Sequence, residues 1–261
     1  MLDVKKREVV ANLMDSPTFT AFSPSLKSTG VFASATGEHK LAIVDMQTLK
    51  TIATPGPIKY PDGIAYVPGP KRVFSDEHGD ADAVIDATTN SLITTIALGG
   101  GAGNTVYDPG SDHILVAVHE KNELVAIDPA TAKIIGLYPM AGIDSPHGIA
   151  LDVAARLAFV AGEENNKLAL VDLTNMRVLA TYPVGKDADG LAFDSGLRTL
   201  YVSAESGNVT VFRGNGKAEG TLSMPHTHTV SVDPDMHLVY LPLQNIDGHP
   251  LLRIMEPSQI H

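Results

Sequence analysis

His147, Asp189 and His228 are residue types that hold a divalent cation together, and they lie 42 and 39 residues apart in this chain of 261. Two imidazoles and a carboxylate can ligate such an ion and leave coordination positions open. An ion held there would polarise a carbonyl while a neighbouring Glu or His activates water. A second series, Glu77, His119, Glu163 and Glu205, advances in steps of 42, 44 and 42. His78, Glu120 and Glu164 stand beside it. Together they form an acidic rim with imidazoles, suited to attracting a cation or to tuning an acid–base pair. The competing reading of both series is a solvated polar surface that holds only water. His226 is two residues from His228, and on a strand both would point the same way and meet one ligand.

Matching chemistry at a fixed spacing calls for a repeated element that positions it, and the chain contains one. Asp3, Asp45, Asp86, Asp128 and Asp172 recur at 42, 41, 42 and 44 residues, and Arg213 takes the place of a sixth aspartate 41 further on. Turns that follow an apolar strand, at Pro24, Pro68, Pro109, Val153, Ser195 and Pro234, keep nearly the same period. Within one unit four short runs alternate apolar and polar residues: "GIAYV", "KRVFS", "DAVID" and "SLITTIAL". Enrichment in β-branched residues and the period of two predict strands. Each recurring aspartate ends the third strand, where its carboxylate can accept backbone N–H groups two or three residues on and so build a hairpin turn.

Four antiparallel strands in about 42 residues make one propeller blade. Complete blades are expected over 18–56, 61–99, 103–142, 146–185 and 188–224. A last blade is split, with three strands from "HTHTVSVDPDMHLVYLPLQNIDGHPLLRIM" and a fourth from Val9–Leu13 pairing with Leu251–Met255. The expectation is a single all-β propeller domain over residues 1–261, with six blade-equivalents or with seven and its opening strands missing. Aligning the first strands puts Thr18, Asp62, Gly103, His147, Asp189 and His228 at the mouth of the central channel. The second series opens on the same face, from the loops between strands two and three.

The segments "PDGIAYVP…VIDATT…TTIALG" and "PHGIALD…LALVDLTN…ATYPVG" resemble the YVTN-repeat β-propeller family, a group similar to WD40-like and quinoprotein amine dehydrogenase-like propellers. The resemblance covers nearly the whole chain and implies the fold. Similar blades carry lactonases, electron-transfer subunits and surface-layer proteins, so it implies no single activity. It also implies export to the periplasm or beyond the cell. The opening "MLDVKKREVV" has no apolar h-region, so no secretory signal is read in it, and a cytoplasmic location stays open.

Composition narrows the functions. A formal charge of −11 argues against nucleic acid, whose affinity comes mainly from basic side chains. The absence of cysteine removes disulfides and thiolate metal sites. No apolar run approaches the roughly 20 residues of a membrane-spanning helix. "LGGGAGNT", Leu98–Thr105, lacks the Lys-Ser/Thr of a phosphate loop and reads as a linker. Gly-x-Ser-x-Gly is absent.

The leading expectation is a non-catalytic binding propeller. Asp62, His147, Asp189, His228, Glu77, His119, Glu163 and Glu205 would present a small molecule, a cation or a protein with a binding face, and no catalytic residue is assigned. One alternative is a lactonase-like metal-dependent hydrolase, its divalent ion on His147, Asp189 and His228. The other is a scaffold subunit of a larger assembly.

Overall fold

A strand covered on both faces reads as an unbroken apolar run, and "LAFVAG" and "LALV" are runs of that kind. The computed structural model describes residues 2–3, 6, 8–9, 19–24, 30–77 and 79–257. Strands β1 (Leu2–Asp3) and β2 (Glu8–Val9) form a short hairpin. The first blade is β3 (Phe19–Pro24), β4 (Gly30–Ala35), β5 (Lys40–Asp45) and β6 (Lys50–Ala53). The second is β7 (Pro61–Val67), β8 (Arg72–Glu77), β9 (Ala81–Asp86) and β10 (Ser91–Ala97). The third is β11 (Ala102–Asp108), β12 (His113–Val118), β13 (Glu123–Asp128) and β14 (Lys133–Pro139). The fourth is β15 (Pro146–Asp152), β16 (Leu157–Gly162), β17 (Lys167–Asp172) and β18 (Arg177–Pro183). The fifth is β19 (Ala188–Asp194), β20 (Thr199–Ala204), β21 (Asn208–Arg213) and β22 (Ala218–Ser223). The last holds β23 (Ser231–Asp233), β24 (Leu238–Ile246) and β25 (His249–Met255).

Every blade is a meander in sequence order. The chain is an all-β protein with the β-propeller fold, and six blade-equivalents are present as counted. The last sheet has three strands among the described residues. Of its expected fourth strand, Val9 pairs with Leu2 instead, and the rest lies outside the described residues. The Gly-rich stretch is only half a linker. Ala102 to Thr105 belong to β11, because the propeller takes the first strand of each blade from just this place in the repeat.

Packing divides the chain into two compact units. One comprises Met1–Tyr107, Asp112–Val116 and Val125–Gly136; the other comprises Asp108–Ser111, Ala117–Leu124 and Leu137–His261. In the first, Phe32, Leu41 and Ile43 of one blade meet Val73, Ala83 and Ile85 of the next. In the second, period two sorts successive residues to opposite faces of the fifth blade. Leu200, Val202 and Phe212 pack with Phe159 and Leu168 of the blade before. Tyr201, Val209 and Val211 pack with Val239, Leu241 and Leu243 of the blade after. The core is therefore a series of layers between neighbouring sheets.

The recurring aspartates close the hairpins between third and fourth strands as expected. Asp45 Oδ1 accepts the N–H groups of Gln47 and Thr48 at 3.0 and 2.7 Å. Asp86 accepts those of Thr88 and Thr89, and Asp128 those of Ala130 and Thr131. Asp172 accepts Thr174 N–H at 2.7 Å. Bonds from these backbone amides lead the effects that hold the Asp86, Asp128 and Asp172 carboxyls below their ordinary range. The aspartate that ends a first strand pairs with a basic residue of the following blade. Arg156 reaches Asp108 at 2.6 Å, Arg198 reaches Asp152 at 2.7 Å and His237 reaches Asp194 at 2.9 Å.

Candidate functional site

The site begins with a β-bulge at the start of the first strands. Four residues of β15, from Pro146 to Ile149, oppose three of β16, from Gly162 to Val160. The same mismatch recurs between β19 and β20 and between β7 and β8. The extra residue falls at His147–Gly148, Asp189–Gly190 and Asp62–Gly63. A bulge re-aims the side chain it carries. The glycine allows the next first strand to pass close by, since a Cβ on Gly148 would be driven into the carbonyl oxygen of Asp189. On Gly190 it would lie 2.5 Å from Ser203 Oγ and 2.8 Å from Thr229 Cα.

In the second unit this arrangement gathers five side chains into one hydrogen-bonded array. Asp189 stands at its centre. Oδ1 lies 2.9 Å from His147 Nε2 and Oδ2 lies 3.0 Å from His228 Nε2. His228 Nδ1 reaches Glu205 Oε1 at 3.0 Å. His147 Nδ1 faces His119 Nε2 at 2.8 Å, and Glu163 Oε2 stands 3.8 Å from the same nitrogen. His147 is buried, Asp189 nearly so, while His228 and Glu205 open to solvent with about half their side-chain area exposed (45% and 54%). Ser203 Oγ fixes the segment by donating to the carbonyls of Gly190 or His228, both at 3.0 Å.

The donors and acceptors assign the protons. Burial works to raise the Asp189 carboxyl, but the hydrogen bond from His147 and the nearby imidazoles hold it below its ordinary value. Ionised Asp189 accepts from Nε2–H of His147, whose Nδ1 then accepts from Nε2–H of His119. His228 meets a carboxyl group at each nitrogen. Burial, joined by the charges of Asp189, Glu205 and Asp187 and opposed by His147, raises the Glu163 carboxyl. Three carboxyl groups, those of Glu163, Asp189 and Glu205, thus stand around the imidazoles of His147 and His228. Beside it opens a cavity of about 330 Å³ lined in part by Glu205, Pro225, His226, His228 and Gln244.

The structure therefore brings together His119, His147, Glu163, Asp189, Glu205 and His228. Glu120 and Glu164 are exposed on the adjoining turns. His226 lines the cavity with His228, but not as a strand neighbour. Its φ of 64° places it in a turn, and only Thr227 between them bridges to Leu243. Thr18 and His78 lie outside the described residues.

Asp62, Glu77 and Gly103 belong to the first unit. The Asp62 carbonyl accepts Ser34 Oγ–H at 2.7 Å. Burial raises the Glu77 carboxyl, against the favourable effect of Lys59. Close to them lie two carboxylates that the sequence reading passed over. Asp76 and Asp82 face each other across β8 and β9 and are wholly buried. Asp76 Oδ1 accepts Gly63 N–H at 3.0 Å and Asp82 Oδ2 accepts Thr105 Oγ1–H at 3.1 Å. Asp76 Oδ2 and Asp82 Oδ1 have no hydrogen-bond partner among the described residues. Burial is the main cause that lifts Asp76 well above its ordinary range and Asp82 to about 7. The missed signal was in the repeat, where Asp76 stands at the position of Ser34 and Ser203 in their second strands.

Among solved structures, the chain is similar to the Kuenenia stuttgartiensis hydrazine synthase, with a TM-score of 0.65 and 13% identity over 94% of this chain and 97% of that one. It is also similar to the Cps50 (Swd1) β-propeller domain of Myceliophteria thermophila, with a TM-score of 0.74 and 12% identity over 94% and 88% of the two chains. At these identities the likeness shows the propeller fold and nothing of activity. No family model and no curated protein matches the chain, so the YVTN resemblance rests on the repeat residues themselves.

Proposed function

We propose that the protein is a non-catalytic binding propeller whose pocket beside His228 and Glu205 takes a small ligand bearing a cationic nitrogen. The observation that carries this reading is the imidazole of His228 held between Asp189 and Glu205 at the edge of the 330 Å³ cavity. That volume lies at the small end of ligand pockets. An ammonium or guanidinium group entering there meets the half-exposed Glu205 carboxyl, with the Asp189 carboxylate behind His228. Gln244, the Thr227 region and Ser206 supply further polar groups along the wall. Within the array itself, His147 and Asp189 are committed to one another and to neighbouring imidazoles, which favours holding a charge over turning over a substrate. The regularity of the repeat, with its YVTN-like blades, fits the same role.

A matched series tests it by calorimetry: butane-1,4-diamine, butane-1,4-diol and succinate, titrated into the intact protein and into Glu205→Gln. The diamine is expected to bind, the diol to bind at least tenfold more weakly and succinate not at all, with the diamine lost in the variant. Preference for succinate, or diamine binding untouched by Glu205→Gln, contradicts the proposal.

A further inference from the structure

The inner end of the array differs in chemistry from the pocket. One imidazole nitrogen each of His119 and His147 and a Glu163 carboxylate oxygen all lie within 4.8 Å of one another. They come from the third and fourth blades, all within the second compact unit. The shortest separation is the 2.8 Å between the two imidazole nitrogens, with Glu163 Oε2 3.8 Å from His147 Nδ1. We propose that His119, His147 and Glu163 form a binding site for a divalent transition-metal ion of the zinc type.

Four features point there. Two imidazole nitrogens and a carboxylate are a ligand set that zinc accepts at about 2.0–2.2 Å, with a fourth position left for water. Two nitrogens bound tetrahedrally at that length stand roughly 3.3 Å apart, so the rings need separate by only about half an ångström from where they are. His119 is partly exposed and can make that adjustment. Next, Asp189 binds the far nitrogen of His147 at 2.9 Å. A carboxylate behind a ligating histidine fixes its tautomer and raises its basicity, and here it turns the Nδ1 lone pair toward the site. Third, His147 is held by the bulge and is 7% exposed, so one ligand is already in place. Finally, Glu163 brings its carboxylate oxygen to 3.8 Å from His147 Nδ1 from a partly exposed turn, so it can close on an ion held by the two imidazoles.

The set differs from the one expected from spacing alone. His147, Asp189 and His228 do meet, but both imidazoles already bond separate oxygens of Asp189. Asp189 is thereby the positioning residue behind the ligand. Imidazole donors favour zinc-type ions over magnesium and calcium, which prefer oxygen. The site stands whether or not the neighbouring pocket takes an amine.

The test uses the intact chain, freed of any affinity histidines and treated with chelator. Zn²⁺, Co²⁺ and Mg²⁺ are titrated by calorimetry, and Co²⁺ is followed by its visible absorption. One equivalent of Zn²⁺ is expected, with a Co²⁺ spectrum of four- or five-coordinate intensity and no Mg²⁺ binding. His119→Ala and Glu163→Gln, at partly exposed positions, should each weaken Zn²⁺ at least tenfold while retaining the wild-type circular dichroism. Asp189→Asn should weaken it 10- to 100-fold without abolishing the Co²⁺ spectrum. Glu205→Gln removes one of the charges around Glu163, so it should weaken Zn²⁺ by less than either ligand variant while abolishing diamine binding, which separates this site from the amine pocket. Absence of stoichiometric Zn²⁺ binding, or binding unaltered in both His119→Ala and Glu163→Gln, overturns the proposal.

Discussion

Replacing Asp82 by Asn should make the protein more stable at alkaline pH than at acid pH, relative to wild type. Asp82, in β9 opposite Asp76 of β8, is wholly buried, with Thr105 as its hydrogen-bond partner and one oxygen unpartnered among the described residues. Its carboxyl is raised from an ordinary value of 3.8 to about 7, chiefly by burial, with Glu77 adding repulsion and Thr105 opposing. Between those two values the unfolded chain has released the proton and the folded chain still holds it. Stability therefore falls as pH rises from about 4 to 7 and levels off above that. At 1.36 kcal/mol per pKa unit the penalty is about 1.7 kcal/mol at pH 5 and about 4 kcal/mol at pH 8. Asparagine has no such proton to lose, and its amide takes the place of the carboxyl hydroxyl. Urea unfolding of both proteins at pH 5 and pH 8 gives the difference directly. Asp82→Asn should gain roughly 2.5 kcal/mol on wild type between the two conditions, equal to a midpoint shift of about 1 M or somewhat more in urea. Glu77 and Asp76 remain in both proteins, so subtraction removes most of their own titration. A difference that is the same at pH 5 and pH 8 would refute the reasoning, because it would mean that Asp82 is already ionised in the folded chain.

Two further outcomes follow from the geometry. Arg198→Ala leaves the nearly buried Asp152 (4% exposed) without its guanidinium. With Arg198 itself more than half exposed, the expected cost is about 1–2 kcal/mol in denaturant unfolding, and an unchanged midpoint would show that the pairs between blades are ornamental. Gly148→Ala drives a methyl group against the Asp189 carbonyl, so it should weaken Zn²⁺ and diamine binding together, by at least tenfold each on titration. Unchanged binding of both would mean that the bulge does not set the array.

The fold was legible because its signals are local. An aspartate that bonds the amides just after it makes a turn wherever it stands; Asp45, Asp86 and Asp128 bond those two and three residues on, and Asp172 bonds Thr174 N–H and the Asn175 side chain. Period two in the strands then sets which residues face each neighbour. The array was half legible. Spacing placed His147, Asp189 and His228 at equivalent starts of first strands, and Gly148 and Gly190 were visible after them. Spacing says nothing of side-chain direction, so it did not show that Asp189 would divide its two oxygens between the histidines, or that His147 would turn its other nitrogen to His119. His226 misled because a left-handed backbone interrupts the expected strand. "GAGNT" misled because its small residues look flexible, yet Thr105 is needed as a donor to Asp82. Asp76 was hidden by substitution, since a carboxyl occupies a place that serines hold in other blades.

The central claim is that His228 and Glu205 form the receiving edge of a cation-binding pocket. Nitrogen-15 spectroscopy of the imidazole rings tests it most directly, with butane-1,4-diamine added stepwise to the wild-type protein. The resonances of His226 and His228 should move together and saturate with one equivalent, while that of His237, bound to Asp194, stays in place. Saturable movement of His237 with His226 and His228 unmoved would contradict the account.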